Sequence, residues 1–221
     1  RIREKVKFVC IECVEGFDTC FCTTMGSNKT DDYSLAVRFD ENSALFNIND
    51  NEFDKYFTDC AKEEFELKFI EKNMAEVNLP EIESKEVLNK LKEHSVWKEY
   101  DKRCIQCGSC TVACPTCSCY TTRDIIYNEN ANVEERKRVQ ASCHIDGFDE
   151  MAGGHRFRTN ASDKMRYKIL HKIHDYKEQF GDNHMCVGCG RCTDRCPEHI
   201  SITATINKVD KAVKEIVGGK N

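Results

Sequence analysis

Eight of the sixteen cysteines in this 221-residue sequence fall into two runs of one spacing. Cys104, Cys107, Cys110 and Cys114, then Pro115, read C-x2-C-x2-C-x3-C-P, and Cys186, Cys189, Cys192 and Cys196, then Pro197, repeat that order without change. Two-residue gaps let three thiolates converge on one face of a metal group, and the Cys-Pro step then leads the chain away. Gly108, Gly188 and Gly190 lie inside the runs, where a missing side chain admits close backbone approach and unusual dihedrals. In a secreted miniprotein so many cysteines would mean disulfides. This chain is larger and its cysteines stand at metal-ligand spacings, which fits thiolates in a reducing compartment. A tetrahedral zinc staple is the competing chemistry, making the chain a zinc-stapled binding module. Zinc needs four ligands and seldom uses eight cysteines in a doubled pattern with paired prolines.

The doubled run is the bacterial ferredoxin signature for two 4Fe-4S clusters, in which the fourth cysteine of each run serves the other cluster. The ligand sets that follow are Cys104, Cys107, Cys110 and Cys196 for the first cluster, and Cys186, Cys189, Cys192 and Cys114 for the second. The reaction implied is one-electron transfer. It asks no side chain to act as acid, base or nucleophile, so no catalytic residue is assigned. Burial, hydrogen bonds to sulfur and nearby charge would set the potentials.

The other eight cysteines carry two readings. Cys20 and Cys22 form a C-x-C, as do Cys117 and Cys119, and Cys143 stands alone in Ser142-Cys143-His144. A third 4Fe-4S cluster could draw four ligands from these five; equally, free cysteines are often buried small hydrophobes. Core packing is the expectation for Cys10 and Cys13, on an apolar strand-like stretch, and for Cys60, in a helical context.

The organisation expected is α+β: a small mixed α/β N-terminal region over residues 1–79, then a helical bacterial-type dicluster ferredoxin domain over 80–221 with a long insertion between the cluster motifs. Short strands are predicted at 6–14, 35–39, 45–48 and 65–70, and helices at 50–62, 81–102 and 162–180. Basic residues gather at Arg156, Arg158, Lys164, Arg166, Lys168 and Lys172. The ordinary explanation is a solvated helix face; the functional one is that these cations offset negative clusters or steer an acidic partner. His171 and His174 read as surface or packing residues. A formal net charge of -5 argues against nucleic acid as the main partner. No apolar run approaches the roughly 18 residues of a membrane span, and no secretory signal is visible, so the cytoplasm is the expected location.

Five segments together resemble the A subunit of anaerobic sulfite reductase, and more distantly the beta subunits of sulfhydrogenase-type nickel-iron hydrogenases. They are Ile11-Glu12-Cys13-Val14-Glu15-Gly16, Thr19-Cys20-Phe21-Cys22-Thr23-Thr24-Met25-Gly26, Cys114-Pro115-Thr116-Cys117-Ser118-Cys119, Ala152-Gly153-Gly154-His155, and His184-Met185-Cys186-Val187-Gly188-Cys189-Gly190-Arg191-Cys192. The resemblance implies an electron-transfer subunit, not an enzyme on its own, passing electrons from a flavin subunit that oxidises NADH to a sirohaem subunit that reduces sulfite to sulfide. It carries over the eight dicluster cysteines, includes the C-x-C pairs and Cys143 in the family pattern, and implies further sequence before Arg1. The alternative complex is a cytoplasmic nickel-iron hydrogenase or sulfhydrogenase, with this chain as its electron-transfer beta subunit.

Overall fold

The computed structural model describes residues 2–130, 132–181 and 183–219; Arg1, Ala131, Asp182, Lys220 and Asn221, included in the two expected regions, lie outside. Helices and two small sheets make the fold mixed α+β. In the first sheet β1 (Val9–Ile11) runs parallel to β2 (Leu35–Phe39), which pairs antiparallel with β3 (Ala44–Ile48). The central strand buries Leu35, Ala36 and Val37 in succession. Between β1 and β2 lies one helical turn, α1 (Cys22–Met25), closed by Gly26 in the left-handed region at φ 67°.

Two expectations for this region change. Residues 65–70 form no strand; they touch the sheet through one bridge, Cys13 with Phe69, and through Ile70 N donating to Cys13 O at 2.7 Å. The alternation of Phe65, Leu67 and Phe69 survives as alternating burial, so the period was real although the ladder is not. The predicted helix at 50–62 shortens to a 3-10 segment, Asn51–Tyr56, which leaves Cys60 exposed beyond it. Cys13 is exposed too and Cys10 only half-buried, so none of these three is a core residue. The apolar residues around Cys10 and Cys13 are themselves exposed, among them Phe8, Val9, Ile11 and Val14, so no core closes there.

The helical part begins with α2 (Lys85–Glu93), whose first turn is capped by Ser84 Oγ accepting from Val87 N at 3.2 Å. The predicted 81–102 helix breaks after α2 into a 3-10 turn, Ser95–Trp97, and α3 (Tyr100–Arg103). His94 takes an extended conformation, and its Nδ1 accepts from Val96 N at 3.1 Å, which ends the first helix and caps the next turn. After α4 (Ser109–Val112) comes a hairpin of β4 (Tyr120–Ile126) and β5 (Glu134–Gln140). Almost every residue in it is exposed, and the Asp124–Arg136 ion pair lies across it. The predicted 162–180 helix forms as one run: α5 (Ala161–Leu170), a π turn (His171–Asp175) and α6 (Tyr176–Phe180). Asn160 caps it by accepting from Asp163 N at 2.9 Å.

Beyond α7 (Arg191–Asp194) runs α8 (Ile202–Val217), capped by Ser201, which is absent from the expectations drawn from sequence. Its buried face, Thr205, Ile206, Val209, Ala212 and Val213, meets Leu91, Trp97, Tyr100, Met165 and Ile169 in the main core. Inside that core Tyr100 donates its hydroxyl to Thr205 Oγ1 at 2.8 Å, and Trp97 Nε1 donates to Leu91 O at 2.7 Å. Phe21, from the segment leading into α1, is 1% exposed within the same core.

Glu12 ties β2 to the segment after it. Its carboxylate accepts from Arg38 Nε and Nη2, each at 2.6 Å, and from Lys68 N at 2.7 Å. The Arg38 hydrogen bonds hold the Glu12 carboxyl below its ordinary range, helped by Lys68 N. The expected effect of Glu12→Gln is a loss of about 1–2 kcal/mol at pH 7, the value for charged hydrogen bonds discounted for partly solvated Arg38. Because the folded pKa is depressed, this contribution is full above the unfolded Glu value of about 4.3 and is lost as pH falls through the folded value. Urea unfolding of both proteins at pH 7 and pH 3 checks it: the difference in stability should shrink at the lower pH.

Candidate metal centre

The repeated spacing becomes a repeated backbone. Gly108 and Gly190 both sit in the left-handed region, at φ 77° and 71°, immediately before the short helices α4 and α7. Thr111 N donates to Gly108 O at 2.9 Å, as Thr193 N does to Gly190 O at 2.9 Å. Cys114 N and Cys196 N close the two turns, each at 3.2 Å, on Thr111 O and Thr193 O. The helices α4 and α7 pack on each other, which brings the two loops together.

A cavity opens between them, lined by Cys104, Cys107, Cys110, Cys192 and Cys196 and walled by Met165, Ile200 and Ile202. Four of these cysteines, Cys104, Cys107, Cys110 and Cys196, are the set read from the sequence for the first cluster; the fifth, Cys192, belongs to the set read for the second. The four of that second set are also neighbours. Burial, then the sulfurs of Cys114 and Cys189, push up the Cys186 thiol; burial takes Cys192 to about 12, with Cys186 and Cys189 contributing. Burial likewise raises Cys104, with Cys196 and Cys107 close by, and Cys110. Cys114 goes the other way, downward, because Cys117 donates to it, with Thr116 and Lys172 adding to the effect. Backbone donors also reach sulfur: Gly188 N lies 3.4 Å from Cys186 Sγ, and Ile200 N 3.3 Å from Cys196 Sγ.

Among the described residues no three His, Cys, Asp or Glu side chains converge tightly enough to hold a single ion. Ligands of one tetrahedral zinc lie about 3.8 Å apart, given metal–sulfur bonds near 2.3 Å. An iron-sulfur cube takes its thiolates at separate corners, so wider spacing is compatible with it.

Each loop is covered by a different segment. Over the second lie residues 19–27: Phe21 N donates to Gly188 O at 2.7 Å, Ser27 Oγ to Val187 O at 2.7 Å, and Cys20 Sγ approaches Cys189 O at 3.7 Å. A Cβ on Gly188 would come within 2.5 Å of the Phe21 carbonyl carbon, so this approach requires glycine. Over the first loop lies Ser142, which a Cβ on Gly108 would strike at 2.8 Å. The hairpin brings it there: Ala141 N, just past β5, donates to Cys119 O at 3.0 Å, just before β4.

The five extra cysteines attach to these coverings. Cys20 has Cys22, Cys13 and Cys189 as its sulfur neighbours, Cys143 has Cys119 and Cys110, and Cys117 has Cys114. Beside Cys143 the His144 imidazole is 1% exposed, with no hydrogen-bond partner for Nε2 among the described residues. Burial, reinforced by Lys168 and Lys164, lowers its pKa to about 3, so the ring is neutral. His171 stacks on Tyr167 with centroids 5.4 Å apart, and His174 bonds to Asp175 at 2.9 Å; both are packing residues.

The reading of the basic stretch as a solvated face fails for three of its lysines. Lys164, Lys168 and Lys172 recur every four residues along α5 and its π turn, and all are buried, at 1%, 4% and 7% exposure. Four-residue spacing puts them on one helix face, and that face looks at the cysteine loops. Lys164 Nζ bonds to Asp146 and Gln106. Lys168 Nζ reaches Cys110 O at 3.0 Å and Thr111 Oγ1 at 3.4 Å, and Lys172 Nζ reaches Thr116 Oγ1 at 2.9 Å. Among the described residues neither Lys168 nor Lys172 has a carboxylate partner. Arg156, Arg158 and Arg166 do, in Glu150, Asp149 and Asp163. Burial alone would lower Lys168, but the sulfurs of Cys110, Cys117, Cys143 and Cys192 outweigh it and hold the ammonium above its usual value. Two cations without carboxylates beside a thiol-lined cavity fit an anionic metal group there, since buried charge is tolerated only when compensated.

Comparison with known proteins agrees. Residues 103–200 match the family model described as a 4Fe-4S dicluster domain, which indicates two 4Fe-4S clusters. Among curated proteins, sulfhydrogenase 2 subunit beta of Pyrococcus furiosus is 38% identical over 114 residues, covering 52% of this chain and 33% of that protein. The chain thus spans about a third of the relative's length. No solved structure matches significantly. Among the described residues no helix is long and apolar enough to cross a membrane. The similarity supports an iron-sulfur electron-transfer role and a relationship to sulfhydrogenase beta subunits.

Proposed function

We propose that this chain is the electron-transfer subunit of a multisubunit redox complex and holds two 4Fe-4S clusters. Cys104, Cys107, Cys110 and Cys196 would hold one, and Cys186, Cys189, Cys192 and Cys114 the other. The observation that carries the reading is the cavity in which three cysteines of the first run meet Cys196, the last of the second, with Cys192 also on its wall; the meeting with Cys196 is what the crossed pattern of dicluster ferredoxins requires. When bound, such clusters accept and release single electrons, at potentials of about -700 to +450 mV across known examples. The residues' part is to hold and insulate. Met165, Ile200 and Ile202 keep water from the first site, Gly188 and Gly190 let residues 19–27 close over the second loop, and the backbone donates to sulfur at Cys186 and Cys196.

The 38% similarity favours a sulfhydrogenase-type complex with a nickel-iron partner. The sulfite-reductase reading rests on the five segments quoted above. It would have flavin and sirohaem subunits on either side of the chain. Anaerobic purification of the intact complex separates them, by nickel in one case and by sirohaem absorbance in the other.

Iron and acid-labile sulfide should come to about eight of each per chain, four for each cubane cluster. Zinc without iron would overturn the reading in favour of a stapled binding module, and about twelve irons would add a third cluster and overturn the count of two. Cys189→Ala should lose about half the iron and one EPR signal on reduction, and Cys60→Ala should lose none, as its exposed position implies. Full iron in Cys189→Ala would refute the ligand assignment.

A further inference from the structure

Burying an ammonium group costs several kcal/mol unless an opposite charge or strong acceptors compensate it. Lys168 and Lys172 are buried and, among the described residues, have only a carbonyl and two hydroxyls as partners, all neutral. Cysteines of both proposed clusters lie close to them. Lys168 Nζ lies 3.0 Å from Cys110 O, and its side chain lines the same cavity as Cys110 of one set and Cys192 of the other. Lys172 Nζ meets Thr116 Oγ1 at 2.9 Å, which in turn lies 3.4 Å from Cys114 Sγ, and Cys186 N donates to Lys172 O at 3.1 Å; both cysteines belong to the second set. Lys164 differs, since Asp146 neutralises it.

We propose that Lys168 and Lys172 are potential-setting residues: fixed internal cations that raise the reduction potentials, with Lys168 acting on both clusters and Lys172 mainly on that of Cys114 and Cys186. This rests on the two-cluster reading. When a cluster takes one electron from a low-potential donor it becomes one unit more negative, and no proton or bond changes hands. A cation held close by, where burial weakens solvent screening, favours the reduced form over the oxidised one. Removing the cation therefore lowers the potential. Exposed lysines such as Lys90, already paired with Glu86, are screened and do not have this effect.

The test is an EPR-monitored redox titration of the anaerobically purified full chain, with iron counted on every sample. Lys168→Met should lower both midpoint potentials, making reduction roughly tenfold less favourable, which is about 59 mV for a one-electron couple. Lys172→Met should lower the second cluster's potential more than the first's. Lys168→Arg and Lys172→Arg, which keep the charge, should stay near the wild type, as should Lys90→Met. Full iron with unmoved potentials in both methionine variants would overturn the proposal, as would arginine variants that shift as far as the methionine ones. Should the methionine variants lose iron, the arginine variants decide: iron kept, with wild-type potentials, supports a role for charge, and iron lost overturns it. Absence of iron from the wild type is a different failure, since it removes the two-cluster reading itself.

Discussion

The demand that organises this molecule is the convergence of cysteine sulfurs inside a small protein, where thiolate charge is costly unless something compensates it. Everything near the loops answers that demand. Backbone N–H groups of Gly188 and Ile200 point at sulfur, glycines in the left-handed region let covering segments close in, and a face of lysines is turned inward. Burial pushes the thiols of Cys104, Cys110, Cys186 and Cys192 upward, which is the cost of placing thiolate charge there.

Repetition in the sequence thus becomes repetition in three dimensions, down to matching hydrogen bonds around Gly108 and Gly190. The coverings break that symmetry. Residues 19–27 lie over the second loop, whereas the foot of a hairpin inserted between the motifs brings Ser142 over the first. A shared scaffold thereby offers two sites with different surroundings, which is the condition for two centres of unequal potential.

Much of this was legible in the residues. Cysteine spacing is local and tied to ligand chemistry, so the two runs could be read directly, and the helix over 162–180 carried both a cap and a periodic apolar face. Helix α8 was equally readable, with Ser201 before an Ile202, Thr205, Ile206, Val209, Val213 stripe. The hairpin gave a weaker signal, because neither face is buried and its strands lack apolar alternation. The lysine face was visible as a spacing of four, yet that pattern ordinarily means solvent. Only the packing of α5 against the loops reverses the meaning, and packing is not a local property of sequence. The mixed fate of residues 65–70 makes the same point, for burial alternates there without a partner strand.

The walls of the first cavity come from residues 104–110, from Met165 and Lys168 of α5, and from 192–202, with the hairpin lying between the first and second of these in the chain. On the ribosome the first run emerges long before the residues that complete its pocket, and α8, which closes the main core, emerges later still. A nascent chain therefore presents one cysteine run with nothing to enclose it. Delivery of inorganic cofactor would have to await release, or rely on cellular factors that shield those sulfurs until translation has passed α8.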